Sequence, residues 1–388
     1  MIKRTGRTKA IAIKAVEGAA VARVKAWHDK EAKAAADAVP TISELAEQWF
    51  RTIEPPKVGV SSSGDELPAS RGTKIRRQTF DQYQSTYRNH IQEPLGSMRV
   101  TEVGTKVCGD FLHGLIEDDA GLTKARLAKV VLKAVLDVAV RHETISYNPV
   151  KNVAPLPRKQ IQPRSLSAPS LAQVREAVRS WRNEPGTFGP PNDGMLTDIV
   201  DVLLGTGVRI GEVLALRWSD VNLEGPVPTV RITGTIVEPR QGPKYRQAKP
   251  KSKRGFREIP LPQFAVDTLK RRRMLSPEHN LADAVFWSQE GTYKQPSAVR
   301  RSLRSALNAA GVEPGFSVTP HTFRRTVATI LKQEVGAEAA QSVLGHTSVA
   351  IAEKSYFDIP SLVEDHRQVL ESRISTDRIS SPAAHRND

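Results

Sequence analysis

The chain has 388 residues, enough for two or three domains at roughly 150 residues each. Lys and Arg number 57 against 42 Asp and Glu, and the resulting +15 points to a polyanion, either nucleic acid or an anionic membrane surface. No apolar run approaches the ~18 residues of a spanning helix, and "MIKRTGRTKAIAIK" lacks the apolar core of a secretory signal, so an intracellular nucleic-acid-binding protein is expected.

Residues 1–40 are rich in Ala and Lys and predict a helix from Ala10 to about Ala38, stopped before Pro40. Nine basic and four acidic residues give this segment +5, the charge of a DNA-facing arm or of a solvated helix. At Thr41 a capping box with Glu44 opens a second helix, with Leu45, Trp49, Phe50 and Ile53 at helical spacing. Residues 54–76 are rich in Pro, Gly and Ser and read as a flexible insertion. A further capped helix is predicted from Thr79 with Gln82, carrying Phe80, Tyr83, Tyr87 and Ile91. The next carries Val107, Phe111, Leu112 and Leu115, and with them the single cysteine, Cys108. One cysteine excludes an internal disulfide and a cysteine-based zinc cluster, and its place on a core-facing helix reads as packing. A helix from about Thr123 to His142, apolar at Leu127, Val130, Val131, Ala134 and Val138, completes a small bundle over 41–150.

Four prolines and four basic residues in "NPVKNVAPLPRKQIQPRSL" read as a linker, 151–166. Ser167 is a predicted N-cap, and a mixed domain follows over 167–370. Its helices are predicted near 170–182, 195–204 and 210–217, its strands near 229–237 and 256–261, with more helices beyond and a disordered polar tail from 371. The fold class is mainly α with a small β component.

Four stretches of this second domain carry the chemistry. In "LLGTGVRIGEVLALRWSDV" a Gly-Thr-Gly turn joins two apolar helices, Arg209 starts the second, and Glu212 is placed to orient it. An arginine at a helix start suits a phosphate, although a structural Arg–Glu pair has the same spacing. The run Arg240–Glu258 holds eight basic residues and one acidic residue, the pattern of a basic β-hairpin for a DNA groove or of a solvated loop. In "TPHTFRRTVATIL", His321, Arg324 and Arg325 fall on one side of a helix and Phe323, Val327, Ile330 and Leu331 largely on the other. In "VLGHTSVAIAEKSYFDI", His346 follows a helix-ending glycine and Tyr356 lies ten residues on. Each stretch alone fits an ordinary core or surface feature better than a site.

Together and in this order they resemble the tyrosine recombinases, the phage integrase family, over roughly residues 41–360. In wording they look most like integrases of actinobacterial phages and prophages. "GTGVRIGEVLALRW" resembles the first arginine box and points to Arg209; "PKSKRGFREIPLP" resembles the basic hairpin and points to Lys251. "HTFRR" gives His321 and Arg324, and the L-G-H box gives His346 with Tyr356 ten residues beyond. Lys249, Lys253, Arg254 and Arg257 become candidate DNA contacts.

The resemblance implies a helical core-binding (SAM-like) domain and a mixed α+β catalytic domain forming a C-shaped clamp on duplex DNA. The implied activity is integration or excision of mobile DNA through a 3′-phosphotyrosyl intermediate. Attachment-site DNA is the expected substrate, a homotetramer the expected assembly, and host DNA-bending or excision factors the expected accessories. Metal and nucleotide cofactors are not needed, and the expected location is the cytoplasm, at the nucleoid. Two alternatives stand beside this reading: a DNA-bridging protein with a degenerate site, and a relaxing enzyme of topoisomerase IB chemistry. Many relatives also carry an N-terminal strand-rich arm-binding domain, whereas the first 40 residues here look helical.

Overall fold

Thr41 and Glu44 start the first buried helix by reciprocal bonds: the Thr41 N–H donates to Glu44 Oε2 at 2.7 Å, and the Glu44 N–H donates to Thr41 Oγ1 at 3.2 Å. This computed structural model describes residues 9–37, 39–67, 75–117, 121–157, 164–183, 192–240, 242–248, 257–312, 315–336, 343 and 365–375. The chain divides into two units, residues 1–56 with 72–159, and residues 57–71 with 160–388.

In the first unit α1 spans Lys9–Asp37, with Val21, Val24 and Trp27 exposed. Its apolar residues make no single stripe that would bury one face. The bundle proper is α2 (Ile42–Ile53), α3 (Arg77–Thr86), α4 (Gln92–Leu95), α5 (Thr105–Glu117) and α6 (Gly121–Arg141), with a π turn at Tyr87–Ile91 joining α3 to α4. The α3 helix starts two residues before the predicted Thr79 cap, because the Thr79 N–H already donates to the Arg76 carbonyl at 3.0 Å within the first turn. On α6 the pairs Val131–Leu132 and Val135–Leu136 are fully buried, while Val130 is on the exposed face and departs from the predicted stripe. Cys108 is buried in the same core, and burial pushes its thiol up to about 11, which suits an inert packing residue.

The expected linker is packed at both ends. Asn148 accepts from the Val150 N–H at 3.1 Å and donates to the Lys133 carbonyl at 2.8 Å. These bonds wind Pro149–Asn152 into a 3-10 turn that buries Val150, with Val153 and Leu156 joining the first core. Leu166 joins the second core, its N–H donating to Thr326 Oγ1 at 3.0 Å.

The second unit is built around α8 (Met195–Thr206), which is buried on all sides, with α7 (Ala168–Ser180), α10 (Gln263–Met274) and α12 (Pro320–Glu334) packed against it. Its buried carboxylates are paired: Asp198 with Arg271 and Arg272, and Asp201 with Arg175 at 3.1 Å. One-turn α9 (Ile210–Val213), α11 (Pro296–Ala309) and a further helix, Arg367–Ile374, also belong to this unit.

Two predicted elements come out differently. The helix expected over 210–217 ends at Val213 because the following residues pair with distant chain. The Leu216 carbonyl accepts from the Val285 N–H at 2.9 Å, and the Trp218 N–H donates to the Asp283 carbonyl at 2.9 Å. The strand expected over 229–237 is broken into β2 (Thr229–Ile232) and β3 (Thr235–Val237). Between them sits Gly234, where a Cβ would meet Arg246 Cζ at 2.8 Å. The first half joins β1 (Val221–Asn222) and β5 (Arg257–Pro260) in a three-stranded sheet, with Val230 opposite Ile259. The second half pairs antiparallel with β4 (Tyr245–Gln247).

The 54–76 insertion also departs from expectation. Residues 57–67 form an ordered turn, closed by a Val60–Glu66 bridge and joined to β4 by an Asp65–Arg246 bridge. The tail predicted as disordered from 371 is corrected at its start, where a helix runs on to Ile374 and buries it; residues 68–74 and 376–388 lie outside the described residues.

Candidate active site

Gly207 ends α8 in the left-handed region at φ +63°, where a glycine carries no Cβ penalty. Its carbonyl accepts from Arg324 Nη1 at 2.9 Å, which ties α12 to the turn that carries Arg209. Two residues after Gly207 the chain is extended at Arg209 (φ −77°, ψ 151°) and then enters α9. Glu212 holds Arg209 twice: Oε2 accepts from its N–H at 3.1 Å, and Oε1 from Nη1 at 2.9 Å. The Arg209 side chain remains about half exposed (52%) while the carboxylate is buried.

The same carboxylate binds a second guanidinium. Arg257 Nη2 donates to Glu212 Oε2 at 3.1 Å, and Arg257 Nε donates to the Val343 carbonyl at 3.0 Å. Arg257 therefore joins β5, α9 and the residue three positions before His346. The candidate DNA contact at Arg257 is thereby corrected: its side chain is buried, so it offers no surface to a duplex. Strand alternation carried this signal, since Arg257 and Ile259 share the inward face of β5. Burial alone would push the Glu212 carboxyl up, but Arg257, the Arg209 N–H and the Arg209 charge hold it below the usual carboxylate range.

The α12 helix begins at Pro320, with the Thr319 N–H capped by Thr322 Oγ1 at 3.0 Å. His321 and Arg325 are exposed as the periodicity implies, whereas Arg324 is only 2% exposed. The three polar residues thus do not form one solvated face. Burial and the neighbouring Arg209 push Arg324 down to about 10, still well above neutral pH, so it keeps its charge. Burial, and then the positive charges of Arg325, Arg324 and Arg209, lower the pKa of His321, which favours neutral imidazole at pH 7. Three guanidiniums around one carboxylate leave an excess of positive charge, and the half-exposed member, Arg209, is available to an anion such as a phosphodiester.

Of the other candidates, Lys249, Lys251, Lys253, Arg254, His346 and Tyr356 lie outside the described residues. Among those described, the structure brings Arg209, His321 and Arg324 within one electrostatic neighbourhood and adds Glu212, Arg257 and the Gly207 carbonyl as their supports.

Residues 190–360 match the phage integrase family. A tyrosine recombinase XerC-like protein of Caldanaerobacter subterraneus subsp. tengcongensis is 24% identical over 302 residues, 72% of this chain and 73% of that protein. Among solved structures, the Tn1549 transposon integrase in complex with a circular intermediate DNA aligns with TM-score 0.62 at 17% identity, over 88% of this chain and 99% of that one. A lambda integrase tetramer bound to a Holliday junction aligns with TM-score 0.55 at 19% identity, over 89% and 86% of the two chains. These last two are likenesses of fold.

Proposed function

We propose that the chain is a site-specific tyrosine recombinase of the phage integrase family, which integrates or excises mobile DNA. The observation that carries the mechanism is the Arg209–Glu212–Arg257 cluster, tied to the helix bearing His321 and Arg324 through the Gly207 carbonyl.

Tyr356 is assigned as the nucleophile. A phenol with pKa about 10 is roughly a thousandfold under-ionised at pH 7, so proton removal limits attack. Neutral His321, with its lowered pKa, is assigned part of that role. Attack forms the Tyr356 Oη–P bond and breaks the P–O5′ bond, with the phenolic proton passing to the base. Negative charge grows on the two non-bridging oxygens, where Arg209 and Arg324 are permanent cations and His346 a further donor. Lys251 supplies the proton that the departing 5′-oxygen needs. A 5′-hydroxyl from the partner duplex then attacks the phosphotyrosine, restoring a phosphodiester and releasing Tyr356.

The lambda integrase fold neighbour is a tetramer on a Holliday junction, and we assign this chain a multimeric assembly on two attachment sites. Host DNA-bending and excision factors are assigned to the choice of direction, and the site of action to the nucleoid. Among the described residues no helix is long and apolar enough to cross a membrane. The likeness to phage integrases and tyrosine recombinases does not favour a DNA-bridging protein with a degenerate site, nor a relaxing enzyme, although the latter would share these catalytic residues.

The deciding test is Tyr356→Phe. This variant is expected to bind attachment-site DNA as the wild type does and to form no covalent adduct. A denaturation-resistant protein–DNA species persisting in Tyr356→Phe would falsify the nucleophile assignment.

A further inference from the structure

Residues 57–67 sit between α2 and α3 in sequence yet pack with the second unit, against the open edge of β4. Two backbone bonds make the joint: the Arg246 N–H donates to the Gly64 carbonyl at 2.8 Å, and the Glu66 N–H donates to the Arg246 carbonyl at 2.9 Å. The segment thereby extends the β3–β4 pair by a third short strand. Gly64 has φ +84°, and a Cβ there would meet the Tyr293 ring at 3.3 Å, so this turn requires glycine.

Asp65 is its polar centre. One carboxylate oxygen pairs with Arg217 and accepts from the Tyr293 hydroxyl at 3.3 Å; the other accepts from Ser63 Oγ at 2.7 Å. The Tyr293 hydroxyl also accepts from Arg217 Nε at 2.8 Å. Burial pushes this phenol up to about 12, so it stays protonated as a donor to Asp65. Beneath lies Arg246 of β4, buried, donating through Nε to the Ala215 carbonyl at 2.8 Å and through Nη2 to Thr233 Oγ1 at 2.5 Å. Ala215 follows directly from the α9 turn that holds Arg209. Strand β4 ends at Gln247, four residues before Lys251.

A free two-stranded pair is marginal in water, and its edge readily frays or finds other partners. A lysine that must deliver a proton to one oxygen atom needs a fixed root, since misplacement by about 1 Å costs on the order of a hundredfold in rate. The Gly64, Asp65 and Glu66 contacts hold one side of that root, and the buried Arg246 side chain holds the other.

We propose that residues 57–67 are a positioning strap for the segment that carries Lys251, with Asp65 as the positioning residue: its carboxylate, held by Arg217, Tyr293 and Ser63, fixes the turn whose Gly64 carbonyl and Glu66 N–H pair with Arg246 of β4. The proposal rests on Lys251 as the acid for the 5′-oxygen. Asp65 is assigned no contact with DNA or the reacting atoms; its role is to set where β4, the strand that precedes Lys251 in sequence, lies.

The experiment uses the full-length protein and measures four things: single-turnover cleavage of ordinary attachment-site DNA, cleavage of the same DNA with sulfur in place of the bridging 5′-oxygen, DNA affinity, and amide exchange at Tyr245–Gln247. A thiolate leaving group needs no proton. Asp65→Ala is expected to slow cleavage of the oxygen substrate by about tenfold or more, to cleave the sulfur substrate at the wild-type rate, to keep DNA affinity, and to exchange faster at β4. Asp65→Asn, which keeps one acceptor oxygen, is expected to fall between Asp65→Ala and wild type, and it carries the same readouts if Asp65→Ala fails to fold. Wild-type cleavage and exchange in Asp65→Ala overturn the strap. So does a loss that sulfur leaves uncorrected while it rescues Lys251→Ala. If sulfur fails to rescue Lys251→Ala itself, the lysine assignment falls. Exchange at β4 then judges the strap, with faster exchange and slower cleavage supporting it and unchanged exchange overturning it.

Discussion

Arg324 and Arg325 are adjacent in sequence, yet one is buried with its Nη1 on the Gly207 carbonyl while the other faces solvent. The difference bears on His321, whose pKa is lowered by burial first and by Arg325 next. A base must be neutral to accept a proton, so the acidic limb of the cleavage rate follows His321 and lies below the ordinary histidine value of about 6.5. Arg325→Ala removes a positive neighbour, raises the His321 pKa and moves that limb to higher pH. A pH–rate profile that stays put in this variant rejects His321 as the titrating base. Arg257 makes a stability prediction instead. Removing it leaves the buried Glu212 without the Arg257 guanidinium and the Val343 carbonyl without this donor. Breaking such a pair costs about 3–5 kcal/mol, so Arg257→Ala is expected to lose that much stability in urea unfolding, with an unchanged salt slope of DNA binding in whatever folds. A loss under about 1 kcal/mol would show that Arg257 does not brace β5 against α9.

The helices of the bundle were readable because an apolar residue every third or fourth position leaves one packing solution; Leu45 and Trp49 on α2 and Leu112 on α5 are buried as that spacing requires. The α9 helix and the β2–β3 break were not readable. Nothing local ends a helix at Val213: the Leu216 carbonyl and the Trp218 N–H are engaged by Val285 and Asp283, about seventy residues on. Likewise Gly234 breaks the strand because Arg246 from β4 fills the space that a side chain would need. Gly207 offers a test at this scale. At φ +63° an alanine costs about 1–2 kcal/mol, and any rotation of that peptide moves the carbonyl that Arg324 binds. Gly207→Ala is expected to lower stability by that amount and to slow cleavage more than it weakens DNA binding. Equal stability and cleavage in the variant would show that the turn tolerates a side chain.

At the scale of the whole molecule the chain passes between the two units three times, at 56/57, 71/72 and 159/160. A fragment 160–388 therefore lacks the strap and leaves Arg217 without Asp65. Separate fragments 1–159 and 160–388 are each expected to bind DNA more weakly than the intact chain, with a salt slope reduced by ~0.9 for every phosphate that is no longer neutralised. Equal affinity and slope for one fragment and the whole would confine DNA binding to that unit. The amino-acid sequence by itself determined the basic charge, the helical bundle and the order of the family's boxes, because charge, periodicity and short motifs are local properties. Only the tertiary structure decided that Arg257 is a buried brace, that Arg324 turns inward to a carbonyl, and that part of an apparently loose insertion completes a strand pair. Each of these depends on which distant backbone group or carboxylate a polar residue meets, and solvation penalises burying it without that partner.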